Sequence, residues 1–241
     1  MAGSSLTFLS WNLALLETSA QAPASWQLHD TEEAIRNRVI ELAPDVVVFQ
    51  ELPAMVPYVE THDMVRGNPR THSGHLATLV THELMAAEPE VSTVPGTAIL
   101  TTFAEPALTI ANVHLVPGRG AGSERLAQLA AVVEASPTEA VLIVGDTNTR
   151  VEEVEAITTA GFHSAKPPRA TWNSRRNRFR AGGAEFSAGL LHALVRQPGR
   201  DRVRRPGSRS AGGVRRDAVP PQRPLRPPWD GLGGALTQIG R

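Results

Sequence analysis

The chain carries two kinds of hydrophobic pattern. Short unbroken apolar runs bounded by polar residues read as strands buried on both faces, and apolar residues spaced three or four apart read as helices. The clearest run is Val141-Leu-Ile-Val144, three of whose four residues are β-branched, followed by Gly145-Asp-Thr-Asn148. A second, Val46-Val-Val-Phe49, runs into Gln50-Glu51. Leu6–Leu13, His75–Thr81, Thr97–Phe103 and Leu108–Leu115 predict four more strands. The last two are separated by Glu105-Pro106 and read as a hairpin. Ile35, Val39 and Leu42 share one helical face, with Thr31 as the predicted N-cap and Pro44 as the stop. Leu126, Leu129 and Val133 predict a helix over Ser123–Glu134. Glu152–Ala160 predicts a short one ending at Gly161. Residues 52–74, with Pro53, Pro57, Gly67 and Pro69, read as a long irregular loop, a kind more often functional than idle. The strand–helix–strand opening indicates an α/β protein, and no repeat of solenoid length is present.

Composition narrows the function classes. The 241 residues include no cysteine, which excludes disulfides, thiol catalysis and cysteine metal sites. No basic segment followed by a long apolar run opens the chain, so the expectation is a cytoplasmic protein without a membrane span. The formal net charge of zero conceals an asymmetry. Residues 1–165 hold 20 Asp/Glu and 7 Lys/Arg, a balance of −13; residues 166–241 hold 4 and 17, a balance of +13. A basic C-terminal part points toward nucleic acid or an acidic partner. The acidic body argues against broad non-specific DNA binding, which wants a basic groove.

Four predicted strand ends carry polar residues that a buried sheet does not otherwise need: Asn12, Glu51, His114 and the Asp146/Asn148 pair. Each has a plain reading. Asn12 can cap a turn, Glu51 can be a solvated strand end, and His114 can be a satisfied core histidine. Asp146-Thr-Asn148 can be an ordinary turn. Together they offer more. A carboxylate can bind a cation or orient a water, and an amide can hydrogen-bond a phosphoryl oxygen.

Leu9-Ser-Trp-Asn12, Val48-Phe-Gln-Glu51, Ala111-Asn-Val-His-Leu115 and Ile143-Val-Gly-Asp-Thr-Asn148, with Thr171-Trp172, resemble motifs of the endonuclease/exonuclease/phosphatase superfamily. The resemblance spans roughly residues 5–188. It implies two packed β-sheets flanked by helices, a four-layer α/β sandwich. It implies a hydrolase of phosphate esters (a nuclease, phosphodiesterase or phosphatase) that uses Mg²⁺ or Mn²⁺. Glu51 would bind the ion with Asn12 nearby, Asp146 would activate or orient the attacking water, and Asn148 and His114 would hold the phosphoryl oxygens. The implied partner is a phosphate-ester substrate, either nucleic acid or a small phosphorylated molecule, and a monomer is expected. Arg175, Arg176, Arg178 and Arg180 could grip such a substrate or form a solvated loop. Whether Asp63, His72 or His75 reaches the site stays open.

The C-terminal part departs from the family. Its closing Ser-Asp-His segment is absent. Residues 189–241 hold 11 Arg, 7 Pro and 9 Gly against 3 acidic residues, and nothing after Val195 reads as a strand. The expectation is a domain over 1–188, with its second sheet incomplete, and a tail over 189–241 that is disordered or out of frame. Pro224-Leu-Arg-Pro-Pro-Trp229 can be encoded as CCT CTC CGA CCA CCG TGG, and dropping one base turns it into Leu-Ser-Asp-His-Arg-Gly. A frame shift near residues 188–195 would therefore account for the loss. The alternative is a catalytically inactive relic that binds nucleic acid or a partner through a natural basic tail.

Overall fold

The computed structural model describes residues 6–13, 28–53, 58–65, 70–71, 74–165, 193–196 and 235–239. These form two six-stranded sheets. In the first, β1 (Leu6–Asn12) runs parallel to β2 (Val46–Leu52), and β5 (Gly74–Thr81) lies antiparallel on the other side of β2. The short strands β3 (His62–Met64) and β4 (Arg70–Thr71) both pair with β5. The far edge is β12 (Ala235–Ile239), antiparallel to β1. The second sheet begins with β6 (Glu90–Val94), β7 (Ala98–Phe103) and β8 (Leu108–His114), an antiparallel meander. There β9 (Val141–Asp146) lies parallel to β8, followed outward by β11 (Ala193–Arg196) and β10 (His163–Ala165).

Side-chain alternation builds the layers. In β2, Val47 and Phe49 pack with Ile35 and Val39 of α1 (Leu28–Leu42), while Val46 and Val48 face Ile110, Leu142 and Val144 of the other sheet. In the second sheet, Ala111, Val113, Val141 and Ile143 pack outward with Leu129 and Val132 of α3 (Gly122–Ala135) and Ile157 of α4 (Val154–Thr159). The order is helix, sheet, sheet, helix, with three apolar layers between. Each fully buried Val, Leu, Ile or Phe contributes about 1.5–3 kcal/mol, so these layers dominate the fold's stability. None of the described helices is long and apolar enough to cross a membrane.

Several elements differ from the sequence reading. The first helix starts at Leu28, so Thr31 lies inside it and not at its cap. The loop expected over 52–74 contains β3 and β4. Strand β6 and the single-turn helix α2 (His82–Met85) were not anticipated, since Glu90–Val94 is mostly exposed and lacks an apolar run. The second sheet, expected to lack members, has six strands. A strand does follow Val195: Ala235–Ile239 pairs with Leu6–Ser10. Five residues on an edge draw their order from the ladder they join, which leaves little periodic signal in the sequence.

Candidate metal centre

Strands β1, β8 and β9 each deliver their last inward-facing residue to one end of the inter-sheet space. Leu9, Trp11 and Leu13 face α1, so Phe8, Ser10 and Asn12 face the second sheet. By the same alternation β8 points Ile110, Asn112 and His114 inward, and β9 points Leu142, Val144 and Asp146 inward. Glu51 breaks this rule. With Val46, Val48 and Gln50 turned inward, regular alternation would aim Glu51 at α1. Its φ is instead 50°, and the β2–β5 register shifts between Phe49 and Leu52. The irregularity turns the carboxylate toward the second sheet and returns Leu52 to the α1 side. A left-handed non-glycine residue costs roughly 1–2 kcal/mol, and such strain concentrates at functional positions.

The side chains meet. Asn12 Nδ2 donates to Glu51 Oε1 at 3.1 Å and to Asp146 Oδ2 at 2.8 Å. His114 Nε2 lies 3.6 Å from Glu51 Oε1 and 3.9 Å from Asp146 Oδ2. One ligand atom each from Glu51, His114 and Asp146 falls within 4.8 Å of the others. His114 is buried, whereas the Glu51 and Asp146 side chains remain 17% and 23% exposed, so the cluster opens to solvent on its carboxylate side. Two carboxylates at such a separation repel by on the order of 3 kcal/mol at an effective dielectric near 20. Neutral hydrogen-bond donors do not cancel that, whereas a divalent cation does. Two carboxylates and a carboxamide suit Mg²⁺ or Mn²⁺, and Mn²⁺ also accepts an imidazole nitrogen.

The backbone around Asp146 is equally specific. Gly145 has φ 138°, and a Cβ there would stand 2.2 Å from the Val113 carbonyl oxygen, so β9 passes β8 too closely for any side chain. Asn148, at φ 48°, donates its backbone N–H to Asp146 Oδ1 at 3.0 Å and its Nδ2 to the Leu115 carbonyl at 2.9 Å. Leu115 N–H in turn donates to the Asp146 carbonyl at 2.9 Å. Asp146 is therefore held on one oxygen by Asn148 and on the other by Asn12.

A neutral polar bridge lies directly beneath. Gln50 Nε2 donates across the sandwich to Asn112 Oδ1 at 2.9 Å. Asn112 Nδ2 donates to the Ala77 carbonyl at 2.8 Å and the Phe49 carbonyl at 3.2 Å. Both side chains are fully buried. The sequence reading passed over them, although each is a polar residue in an inward register of an otherwise apolar strand.

Other candidates lie elsewhere. Asp63 is exposed and its carboxylate lies 3.7 Å from His82. His75 shares the α1-facing side of β5 with Ala77 and Leu79. His72, Thr171-Trp172 and the Arg175–Arg180 stretch fall outside the described residues.

The two-sheet, four-layer sandwich is the fold that the motif resemblance implies, and solved structures share it. Among solved structures the chain is similar to D. rerio TDP2 humanized by 14 mutations, at 24% identity over 80% of this chain and 83% of that one, with a TM-score of 0.55. It is similar to D. rerio TDP2 complexed with a single-strand DNA product at 20% identity, 80% and 82% coverage and a TM-score of 0.55. The endonuclease domain of TRAS1, a telomere-specific non-LTR retrotransposon, matches at 13% identity, 80% and 86% coverage and a TM-score of 0.51. No protein-family model and no curated protein matches the chain. At these identities the likeness speaks to the fold, and the chemistry has to rest on the residues.

Proposed function

We propose that this chain is a divalent-metal-dependent hydrolase of phosphate esters, with a nucleic-acid phosphodiester as its substrate class. The observation that carries this is the convergence of Asn12, Glu51, His114 and Asp146 from four strands of two sheets. Glu51, Asp146 and Asn12 would hold Mg²⁺ or Mn²⁺. When bound, such an ion offsets negative charge on the phosphoryl group and makes attack by water easier. The protein's own groups do the rest. Asp146, fixed on both oxygens, orients the attacking water and accepts its proton. His114 is a buried donor facing the place where charge builds on the phosphoryl oxygens. One hydrogen of the Asn148 amide is taken by Leu115; the other serves a second phosphoryl oxygen. The D. rerio TDP2 complex with single-strand DNA and the TRAS1 endonuclease domain support the choice of nucleic acid.

The missing Ser-Asp-His segment supports a second element of the proposal: this chain has little or no catalytic activity, and a shift of reading frame near residues 188–195 accounts for the loss. The strands Ala193–Arg196 and Ala235–Ile239 are short edge or near-edge pieces that carry none of the motif. The test has two parts. Manganese titration of the protein should show binding that requires Glu51 and Asp146. Cleavage of a single-stranded DNA oligonucleotide, bis-p-nitrophenyl phosphate and an inositol phosphate, with and without EDTA, should show weak, EDTA-sensitive activity on the diesters that rises in a frame-corrected chain. A protein that binds no divalent ion overturns the hydrolase reading. An intact frame on resequencing, or full turnover by the chain as written, removes the frame shift alone.

A further inference from the structure

We propose that Arg125 of α3, together with Gln128, is a positioning residue: it locks the loop that follows His114 and the loop that carries Asn148 into the spacing the metal centre needs. The proposal rests on the metal-centre reading given above.

The largest fully buried side chain in the described fold is a charged one, Arg125, at 1% exposure. Its guanidinium is spent on four acceptors. Nε donates to Glu153 Oε2 at 2.9 Å, and Nη2 donates to Glu153 Oε1. Nη1 donates to the Val116 carbonyl at 2.8 Å and to the Gly118 carbonyl at 3.0 Å. Gln128, one helical turn on, accepts the Val116 N–H through Oε1 at 2.9 Å. Both backbone groups of Val116 are thus held by α3. Val116 sits two residues after His114, and its neighbour Leu115 bonds both Asp146 and the Asn148 amide.

Glu153 ties in the second loop. It follows Asn148 by five residues, and its Oε2 also accepts the Arg150 N–H at 3.4 Å. Its carboxylate lies against the first turn of α3, where a Cβ on Gly122 would come within 3.1 Å of Oε1. A glycine there leaves room for the carboxylate beside the positive end of a 14-residue helix. Burial pushes the Glu153 carboxyl upward, but the hydrogen bond from Arg125, the Arg150 N–H and the two arginine charges hold it below its ordinary value of 4.5.

Stability alone is a poor reason for such a pair. Desolvating two charges costs several kcal/mol each, and well-packed apolar replacements are often as stable or more so. What no apolar pair reproduces is a rigid fork that fixes two loop carbonyls and one loop carboxylate at once. That fork links the loop after β8 to the loop after β9, the two that flank the cluster on the second sheet.

Apolar replacement therefore separates positioning from stability. The double variant Arg125→Met/Glu153→Leu fills the space without charge. Amide hydrogen exchange at Leu115, Val116 and Asn148 would be followed by NMR in the metal-free protein, and manganese affinity measured beside it. The expected result is a melting temperature within a few degrees of the parent, exchange at these amides faster by about tenfold or more, and manganese affinity weaker by about 10–100-fold. Parental protection at these amides in a folded double variant overturns the proposal. Should that variant fail to fold, Gln128→Leu, which removes the Val116 acceptor and a long bond to the Thr97 hydroxyl, decides by the same amides. A parent that binds no manganese refutes the metal centre, while the amide exchange still decides whether Arg125 sets the loops.

Discussion

Strands β1 and β2 run parallel, so their starts share one end of the sandwich and their finishes share the other. Each end holds a carboxylate, and the two ends treat it differently. At the start, Asp45 Oδ2 accepts the Thr7 N–H at 2.6 Å and the Thr7 hydroxyl at 2.8 Å, and the Asp45 N–H returns a bond to Thr7 Oγ1 at 3.0 Å. One charge meets two local donors on an ordinary backbone. At the finish two carboxylates lie together: Glu51 and Asp146 share the Asn12 amide, Asp146 also accepts the Asn148 N–H, and Glu51 sits in left-handed backbone. A carboxylate at a strand end is thus structural where a single charge meets its own donors. It is a candidate for chemistry where two like charges are gathered at one place and the backbone is bent to keep them there.

Mutation can break that contrast, most severely at the strained end. Asp146→Asn removes one of the two charges while keeping the shape. Manganese affinity is expected to fall by more than the roughly 10–100-fold typical of an outer-sphere change. The metal-free melting temperature should hold or rise, because a like-charge contact is gone. A loss of metal-free stability with unaltered manganese binding would make Asp146 another Asp45. The next effect in size belongs to the bridge beneath. Asn112→Leu strands the Phe49 and Ala77 carbonyls and the Gln50 amide in a dry interior, which should cost about 2–4 kcal/mol in chemical denaturation. Unchanged stability would show that the bridge is dispensable to the packing of the two sheets.

The sequence made much of this readable and hid the rest for definable reasons. Val46–Phe49 and Val141–Val144 are apolar because both faces are covered, by a helix on one side and the other sheet on the other, so they stand out as unbroken runs. Asn12, His114 and Asp146 were legible because each is polar where its strand's alternation calls for an inward residue. Glu51 was legible as a residue type, but its direction was not: the φ of 50° that aims it at Asn12 has no glycine to announce it. Arg125 and Glu153 drew no notice in the sequence, because the acceptors and donors that bury them come from the loops after β8 and β9. Strand β12 gave no signal, since its order comes from β1 and not from its own five residues.

At the relaxed end Asp45→Ala should cost about 1–2 kcal/mol, the loss of two donors' partner, and leave manganese affinity at the parental value. At the strained end Glu51→Gly should run the other way. Glycine accepts φ 50° without the roughly 1 kcal/mol penalty, and the repulsion with Asp146 disappears, so the melting temperature rises as metal binding is lost. A Glu51→Gly protein less stable than the parent would mean that the left-handed turn carries no strain worth relieving.

The mildest effect sharpens the comparison at the relaxed end, where a second buried histidine sits among neutral partners. His62 Nε2 meets the Pro44 carbonyl at 2.8 Å and Nδ1 meets the Thr61 hydroxyl at 2.8 Å. Burial lowers its pKa from the ordinary 6.5; the Pro44 carbonyl opposes this, the His82 charge adds to it, and Asp45 and Asp63 oppose it. The folded state thus binds fewer protons than the unfolded state near that pH. The neutral ring's contribution is complete above pH 6.5 and is lost as the pH falls from there through the folded value. Melting temperatures of the parent and of His62→Gln, followed from about pH 8 to pH 5, should converge on acidification, because only the parent has this proton to take up. Parallel curves would mean that His62 titrates as it does in the unfolded chain. The relaxed end would then tolerate a charge as readily as the strained one, and the contrast between the two ends would lose its electrostatic basis.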